Sequence, residues 1–244
     1  MRENPRDRSE ARPPATRPQP AEGPVESPAE DATEDAAGAD AVRGRPERLA
    51  AALTAAVEHR WPVVPGAVLR GGRCSCGDAD CTVPGGHPHD PALLAATTDA
   101  RMVRWWWERQ SPDAPVLAAT GTAVSAVSLP AAAGARALAY LGALRLPLGP
   151  VLAMPGRYAM LVAPYSLDVL GEMLAQLPWV PGSLHYHGPG GFLPLPPGGA
   201  AARVRWVLAP RPAADGGVWL PQVGPLLGEL VEAAVRLDRG RSAY

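Results

Sequence analysis

The residues of this chain that are best suited to chemistry lie together in one short stretch, CSCGDADCTVPGGH. It contains all three cysteines and one of the five histidines of the 244-residue sequence. Zinc takes thiolate and imidazole ligands in tetrahedral sets, and a Cys3His set leaves no position for a reacting water. The glycines, aspartates and prolines between these residues favour turns that wrap the backbone around an ion. The spacing predicts a structural zinc site whose ligands are Cys74, Cys76, Cys81 and His87.

Three other interpretations of this stretch stay open at the level of sequence. In the first the thiols are free, although free cysteines are usually dispersed and buried. In the second the zinc is catalytic, with His89 or a water exchanging at the fourth position, but no carboxylate except Asp90 has the usual general-base relation to the histidine. The third is a redox pair of Cys74 and Cys76, which lacks the Cys-x-x-Cys spacing. Clustering in polar turns favours the structural ion.

Composition limits the classes of function. Arginine supplies all 23 basic residues, and the formal net charge of −1 gives no general attraction to nucleic acid, so such binding requires a local basic patch. No apolar run of about 18 residues is present, and the N-terminus, MRENPRDRSEARPP, has no apolar signal region. We therefore expect neither a membrane span nor secretion, and a cytoplasmic location.

The chain divides into a tail and one domain. Residues 1–46 are rich in Pro, Ala, Glu, Asp and Arg and poor in large apolar side chains, which predicts disorder. Residues 47–240 form the predicted folded domain, with the zinc-binding loop at residues 73–90.

Closely spaced strands between the helices favour an α+β fold over a doubly wound sheet. Hydrophobic periodicity predicts helices in ERLAAALTAAVEHRW, Asp90 to Gln110, AAAGARALAYLGAL, SLDVLGEMLAQL and VGPLLGELVEAAVRLDRG, and strands in VVP, PVLAATG, AVSAVSL, PVLAMPG, RYAMLVAP, SLHYHGPGGFLPLPPG and ARVRWVLAP.

The order of several motifs resembles that of a known family. Trp61-Pro-Val-Val-Pro is followed by CSCGDADCTVPGGHP, by an Ala-Thr-x-Asp stretch leading into Trp105-Trp106, and by LAATG. The similarity continues through SLPAAAGARAL, GPVLAMPGRYAMLVAP and YHGPGGFLPLPPG, and covers about residues 48–237. In this order the motifs resemble the N-terminal domain of bifunctional DNA primase-polymerases, the Prim-Pol branch of the archaeo-eukaryotic primases.

The resemblance implies a fold and a chemistry. The fold is an α+β primase fold with an RRM-like sheet, mixed or antiparallel and flanked by helices, into which a zinc-binding loop is inserted. The chemistry is template-directed nucleotide addition with two divalent metals. The family's zinc-type motif is matched at Cys74, Cys76, Cys81 and His87, whereas Gly86 replaces the usual lysine. Loss of that positive charge weakens any phosphate contact made from this loop.

The catalytic acids that the resemblance implies are absent. Two-metal phosphoryl transfer needs carboxylates to hold hard Mg²⁺ or Mn²⁺ ions. The family supplies them from the strand after the turn formed by Thr120 and Gly121, which we call the TG turn. On this strand the chain has Ser125 and Ser128, and a further family aspartate falls near Ser183. No Asp or Glu occurs between Asp113 and Asp168. We therefore expect no catalytic residues and neither Mg²⁺ nor Mn²⁺ at this strand.

A few residues are candidates for contacts with a nucleotide. The family's phosphate-contacting histidine falls near Tyr158, where only Arg157 is able to meet an anion. Thr120 and Gly121 form the TG turn that precedes the acid-free strand. The predicted nucleotide-binding residues are therefore Thr120, Gly121 and Arg157.

Other polar and aromatic residues admit both structural and ligand-binding interpretations. His185 and His187 lie two apart on a predicted strand and share a face, where a hydrogen-bonded or exposed pair is favoured over a metal-ligand pair. The tryptophans at 105–107 are able to stack on bases, but the end of an amphipathic helix favours the core. The arginines on the same helix and on the last strand are typical of solvated faces: Arg101, Arg104, Arg109, Arg203 and Arg205.

The leading hypothesis from sequence is a Prim-Pol-like domain that keeps the fold and the structural zinc but has lost polymerisation, which leaves open whether it is an enzyme. Its remaining role is binding of DNA, a nucleotide or a replication protein in trans, because no helicase module follows in the sequence. One alternative is an active primase-polymerase whose displaced acids converge on the TG turn, namely Asp99, Asp113, Asp168 or Glu172. Another is a zinc-stabilised protein-interaction module without affinity for nucleic acid.

Overall fold

The computed structural model describes residues 44–198, 203–214 and 216–241, with backbone alone for residues 237–241. The predicted disordered tail, residues 1–46, lies outside these ranges except for its last three positions. The architecture is α+β, as predicted, with antiparallel sheets flanked by helices. None of the described helices combines the length and the apolar character needed to cross a membrane.

Helices and strands are interleaved along the chain. The helices are α1 Arg45–Leu53, α2 Ala100–Trp105, α3 Ala131–Ala143, α4 Leu167–Ala175 and α5 Gly224–Arg241. Helices α1 and α2 continue into π-helical turns, Thr54–Glu58 and Trp106–Gln110. The strands are β1 Val63–Pro65, β2 Leu69–Arg70, β3 Arg73–Cys74, β4 Val116–Ala119, β5 Ser125–Pro130, β6 Val151–Met154, β7 Arg157–Val162, β8 His185–His187, β9 Phe192–Pro194 and β10 Arg205–Leu208.

The predicted helix over residues 90–110 is wrong in its first half. Thr97 forms an antiparallel bridge with Val63 of β1, so this stretch contacts the edge of a sheet. The helix starts after Asp99, whose carboxylate accepts a hydrogen bond from the N–H of Arg101 at 2.7 Å and caps the first turn. An N-cap therefore sets the boundary, and apolar spacing alone does not mark it.

The strands form two main sheets and one hairpin. The larger sheet has the order β10-β6-β7-β5-β8, the smaller sheet β1-β4-β9, and β2 pairs with β3. Strand β5 pairs with β7 from Ser125 to Pro130 without a shift of register, and its other edge pairs with β8. Because successive side chains of a strand point to opposite faces, this pairing fixes which residues of β5, β7 and β8 lie together.

The two faces of the larger sheet are covered by different elements. Val127 and Leu129 lie on what we call the helix face, which packs against α3, α4 and α5. Ala126 and Leu161 lie on the opposite face, here called the inner face, which packs towards α1, α2 and the smaller sheet. Polar residues placed on one face are therefore separated from those on the other by the sheet itself.

The three consecutive tryptophans belong mostly to the core. Trp106 is 4% exposed and Trp107 is 2% exposed, and the indole N–H of Trp107 donates to the carbonyl of Ala114 at 3.0 Å. Trp105 is half-exposed. The structural interpretation of this run is confirmed for two of the three rings.

Candidate functional site

The cysteines and His87 lie in a loop that has almost no core of its own. Between residues 68 and 91 only Gly85 is buried. The β2–β3 hairpin begins the loop, and the N–H of Ala67 donates to the carbonyl of His87 at 2.7 Å, which closes it. Apolar burial contributes about 25 cal/mol for each Å² removed from water, so a loop this exposed gains little from it. A cross-link among its side chains would add to the stability that its backbone hydrogen bonds provide.

The four predicted metal ligands converge inside this loop. One ligand atom from each of Cys74, Cys76, Cys81 and His87 lies within 4.8 Å of all the others. His87 Nε2 is 3.4 Å from Cys74 Sγ and 3.4 Å from Cys81 Sγ. Tetrahedral zinc places sulfur and nitrogen ligands about 3.5 Å apart, as its bond lengths require. The Nδ1 atom of His87 donates to the carbonyl of Pro88 at 2.9 Å, which leaves Nε2 as the ligand atom. The donor set and its spacing fit a metal ion.

The thiols of the cluster have strongly different proton affinities. Burial opposes the thiolate of Cys74, but hydrogen bonds from the N–H groups of Cys76 and Gly85 and from neighbouring side chains outweigh it and lower the pKa of Cys74 to about 6. Burial raises the pKa of Cys81 to about 11, and the Cys74 thiolate adds to that effect. Without a cation one thiolate therefore opposes the ionisation of the next. A divalent ion at the centre allows all the thiols to ionise together.

His89 lies outside the cluster. Its ring centroid is 6.4 Å from that of His87, and its side chain is exposed. Because His87 completes a set of four ligands, His89 is not needed to fill the coordination sphere. This arrangement favours a closed, structural site over a catalytic one in which His89 exchanges with water.

A second polar group occupies the inner face of the larger sheet. On β5 and β8, Ser128 lies opposite His185, and Ser128 Oγ is 2.9 Å from His187 Nε2. Arg157 of β7 reaches the same place, because its Nε donates to Ser128 Oγ at 3.1 Å. Its Nη2 donates to the carbonyls of Ser128 and Ser183 at 2.7 and 2.8 Å. We call Ser128, Arg157, His185 and His187 the inner-face cluster.

Ser125 does not belong to the inner-face cluster. It lies three positions before Ser128 on a regularly paired strand, so its side chain points to the helix face. Ser125 is fully buried, and within the described part of the chain its Oγ has no hydrogen-bond partner. Carboxylates at positions 125 and 128 would therefore point to opposite sides of the sheet. The odd spacing on a predicted strand already indicates this separation, although the resemblance treats the two positions alike.

Arg157 and Tyr158 are separated in the same way. Tyr158 packs on the helix face close to α3, where a Cβ added to Gly134 would lie 2.6 Å from Tyr158 Cβ. Arg157, one residue earlier, points to the inner face and contacts Ser128. Of these two neighbours, only Arg157 lies near the polar residues of β5 and β8. The pairing of His187 with Ser128 was missed from sequence, although the spacing of the two histidines indicated that they share a face.

The TG turn is tied to the loop that follows β8. Thr120 Oγ1 donates to the carbonyl of Gly188 at 2.7 Å, and the N–H of Thr120 donates to the carbonyl of Gly191 at 2.9 Å. Gly121 has a φ of 104°, and a Cβ there would collide with the backbone of Pro189. These contacts position the turn beside His187. A contact between Thr120 or Gly121 and a nucleotide stays a prediction.

Comparison with protein families decides the relationship of this chain. The family model described as "Bifunctional DNA primase/polymerase, N-terminal" matches residues 52–219, well over half of the sequence. The chain belongs to the Prim-Pol family. The matched range includes both the cysteine–histidine cluster and the inner-face cluster. Searches among curated proteins and among solved structures gave no match.

The carboxylates of this Prim-Pol domain do not gather at the TG turn. Asp113 lies at the other end of β4, where Arg45 donates two hydrogen bonds to it at 2.7 and 3.0 Å and lowers the pKa of its carboxyl. Asp99 caps α2. Asp168 and Glu172 are exposed on α4, which packs on the helix face. Across the described residues, the cysteine–histidine cluster is the one group of three or more His, Cys, Asp or Glu residues close enough to share an ion.

His187 makes the stability of the domain depend on pH. Its burial, followed by the nearby His185 and Arg157, lowers the pKa of His187 to about 4. The unfolded chain binds this proton with a pKa of about 6.5, so the folded state disfavours protonation. The free energy of unfolding is therefore unaffected by protonation of His187 above about pH 6.5. It falls by about 3 kcal/mol in all as the pH is lowered towards 4.

The variant His187→Gln is expected to flatten this part of the stability profile. Urea unfolding of the wild-type domain and the variant at pH 7.5, 6, 5 and 4.5 measures the difference between them. Because Asp113 and the other titrating groups are common to both proteins, their contributions cancel in that difference. A constant difference at all four pH values would contradict the assignment to His187.

Proposed function

We propose that this Prim-Pol-family domain binds nucleic acid or a nucleotide without polymerising it, and that its Cys3His cluster holds a structural zinc ion. The family match supports interaction with nucleic acid or nucleotide. The inner-face cluster carries the proposal of inactivity, because it has arginine, histidine and serine where two-metal chemistry needs carboxylates. A neutral hydroxyl is a poor ligand for Mg²⁺ or Mn²⁺.

The geometry of β5 adds to this proposal. Even with acids restored at both serine positions, only the one at position 128 would face the inner-face cluster, since Ser125 points into the helix face. Asp113 and Asp99 are already engaged in contacts that position α1 and α2. The contacts of the described residues therefore do not bring a pair of carboxylates together beside the TG turn.

The zinc is proposed to act on the loop and not on a substrate. Its four ligands are all protein side chains, and the loop has almost no apolar core. The residues Cys74, Cys76, Cys81 and His87 would hold it. Bound zinc supplies charge and a fixed tetrahedral geometry, which keep the loop at the edge of the smaller sheet.

Primer extension tests the loss of polymerisation. The full chain, an oligonucleotide template with a primer, Mn²⁺ and all four deoxynucleotides are incubated beside an active Prim-Pol enzyme. We expect no incorporation above buffer, including with unprimed template. Incorporation that persists through purification and changes in the variant Arg157→Gln would show an active enzyme and contradict the proposal.

Binding to single-stranded DNA separates the proposal from a protein-interaction module. We expect weak binding whose affinity falls steeply with added salt, because phosphate contacts release counterions. A deoxynucleoside triphosphate is tested in parallel. If neither ligand binds at low salt, the nucleic-acid and nucleotide part of the proposal is wrong, and an interaction module is the better description.

A further inference from the structure

Arg157 is a half-buried cation without a carboxylate partner. Its Nε and Nη2 atoms are held by Ser128 Oγ and by the carbonyls of Ser128 and Ser183. Among the described residues no Asp or Glu lies within ion-pair distance of it, and its Nη1 atom makes no hydrogen bond. Guanidinium groups keep their proton in proteins. The charge is therefore fixed in place and not neutralised.

Among the described residues, no carboxylate forms an ion pair with Arg157 on its own face of the sheet. Residues 114–214 contain six arginines and two carboxylates. Both carboxylates, Asp168 and Glu172, are exposed on α4, which packs on the helix face. His185 lies exposed on β8, opposite Ser128. The inner-face cluster therefore contains one guanidinium and no carboxylate, whereas a two-metal site is built from carboxylates.

Partial burial of a guanidinium without a carboxylate partner costs free energy, and a bound anion would offset that cost. Charge-assisted hydrogen bonds from a guanidinium to phosphate oxygens are about twice as strong as neutral ones. The Nη1 atom of Arg157 makes no hydrogen bond with the described residues, and the exposed imidazole of nearby His185 adds a second donor. Ser128 and Ser183 hold the guanidinium in position, so little side-chain entropy is lost when a ligand binds.

We propose that Arg157, with His185 at its rim, binds a phosphate group directly, without a divalent metal ion. The inference rests on the proposed function and deepens it: the guanidinium takes the place of the metal in neutralising phosphate. The phosphate comes from a free nucleotide or from the backbone of single-stranded nucleic acid. Both present the same oxyanion chemistry.

Titration calorimetry with the zinc-loaded full chain tests the proposal. Buffers are passed over a chelating resin, since a soluble chelator would also remove the zinc. The probes are inorganic pyrophosphate, a deoxynucleoside triphosphate and a single-stranded oligonucleotide. We expect wild-type binding of pyrophosphate and of at least one other probe, with an affinity that added Mn²⁺ does not increase.

Two variants remove the phosphate site by different means. Arg157→Gln deletes the charge. Ser128→Asp places a carboxylate against the guanidinium, because the present serine oxygen lies 3.1 Å from Arg157 Nε. Both are expected to weaken binding by about tenfold or more, the usual size of losing a charge-assisted hydrogen bond. Ser128→Asn, with nearly the shape of the aspartate and no charge, is expected to bind at least about ten times more tightly than Ser128→Asp. Arg205→Gln removes an exposed arginine from the opposite edge of the sheet and is expected to bind as the wild type does.

Histidine resonances give a readout that a purely structural role would not change. Phosphate beside Arg157 favours the protonated imidazoles, so saturating pyrophosphate is expected to raise the pKa of His185 and His187 in NMR titrations. The rise is expected to be absent in Ser128→Asp.

The outcomes separate this inference from the proposed function. Pyrophosphate and triphosphate binding without oligonucleotide binding supports a nucleotide ligand, and oligonucleotide binding lost in both variants supports a backbone ligand. Oligonucleotide binding that survives in Arg157→Gln and Ser128→Asp would overturn the phosphate site and leave the proposed function standing. A requirement for Mn²⁺ would also overturn the site. Absence of binding to all three probes would overturn both.

Discussion

Ser128→Asp is expected to leave the domain folded and about as stable as the wild type, whereas Ser125→Asp is expected to cost about 3–5 kcal/mol. The new carboxylate at position 128 meets the Arg157 guanidinium and the His187 imidazole, which lie 3.1 and 2.9 Å from the present hydroxyl. At position 125 it enters the fully buried helix face, where even the serine hydroxyl has no partner among the described residues. An uncompensated buried charge carries this penalty.

Thermal unfolding and urea titration at pH 7.5 measure the contrast. In a domain of this size a loss of 3 kcal/mol lowers Tm by roughly 10 °C. Ser125→Asn and Ser128→Asn are the matched uncharged controls. Ser125→Ala removes the unpaired hydroxyl and is expected to be neutral or stabilising by up to about 1 kcal/mol. Equal tolerance of aspartate at both positions would contradict the opposite orientation of the two side chains.

Ser128→Asp is not expected to restore polymerisation. Two-metal catalysis needs several carboxylates around two ions about 4 Å apart, and the variant supplies one, which pairs with Arg157. The proposed loss of activity would therefore involve more than the exchange of an acid for a serine, because Arg157 lies against position 128 and would pair with a carboxylate placed there.

The order of helices and strands and the convergence of the four candidate metal ligands followed from local sequence, for physical reasons. Apolar periodicity reports burial on one face of an element, and it located β4, β5, β7 and α5. The ligands Cys74, Cys76, Cys81 and His87 are within fourteen positions, so short turns alone bring them together. In such a segment the number of conformations that satisfy the spacing is small.

The inner-face cluster did not follow from sequence, because it depends on strand register over long separations. Ser128 and His187 are 59 positions apart, and Ser128 and Arg157 are 29 apart. A shift of one residue in either pairing would move a histidine or the arginine to the helix face. The family resemblance also treated Ser125 and Ser128 as equivalent acid positions, although alternation along β5 separates them. Tertiary pairing, and not local preference, decides such contacts.

Removal of the proposed zinc is expected to disorder the loop of residues 66–88 while the two sheets stay folded. Between residues 68 and 88 only Gly85 is buried, so little apolar core replaces the ion, and metal binding contributes about 10 kcal/mol or more to small zinc-dependent structures. In Cys76→Ser the amides of Ala67 and Ser75 are expected to lose hydrogen-exchange protection. These amides donate to the carbonyls of His87 and Val68 across the base of the loop. Elemental analysis is expected to find one zinc per wild-type chain and little in the variant.

His89→Ala is the matched control for the zinc cluster. His89 is an exposed histidine two residues beyond a ligand, and its side chain lies outside the set of four. We expect this variant to keep the zinc, the protection of Ala67 and Ser75, and the thermal stability of the wild type. Zinc loss in His89→Ala equal to that in Cys76→Ser would show that His89 is a ligand. Full protection of the loop in metal-free wild-type protein would show that the loop is held by its backbone hydrogen bonds alone, because no other cross-link would then be needed.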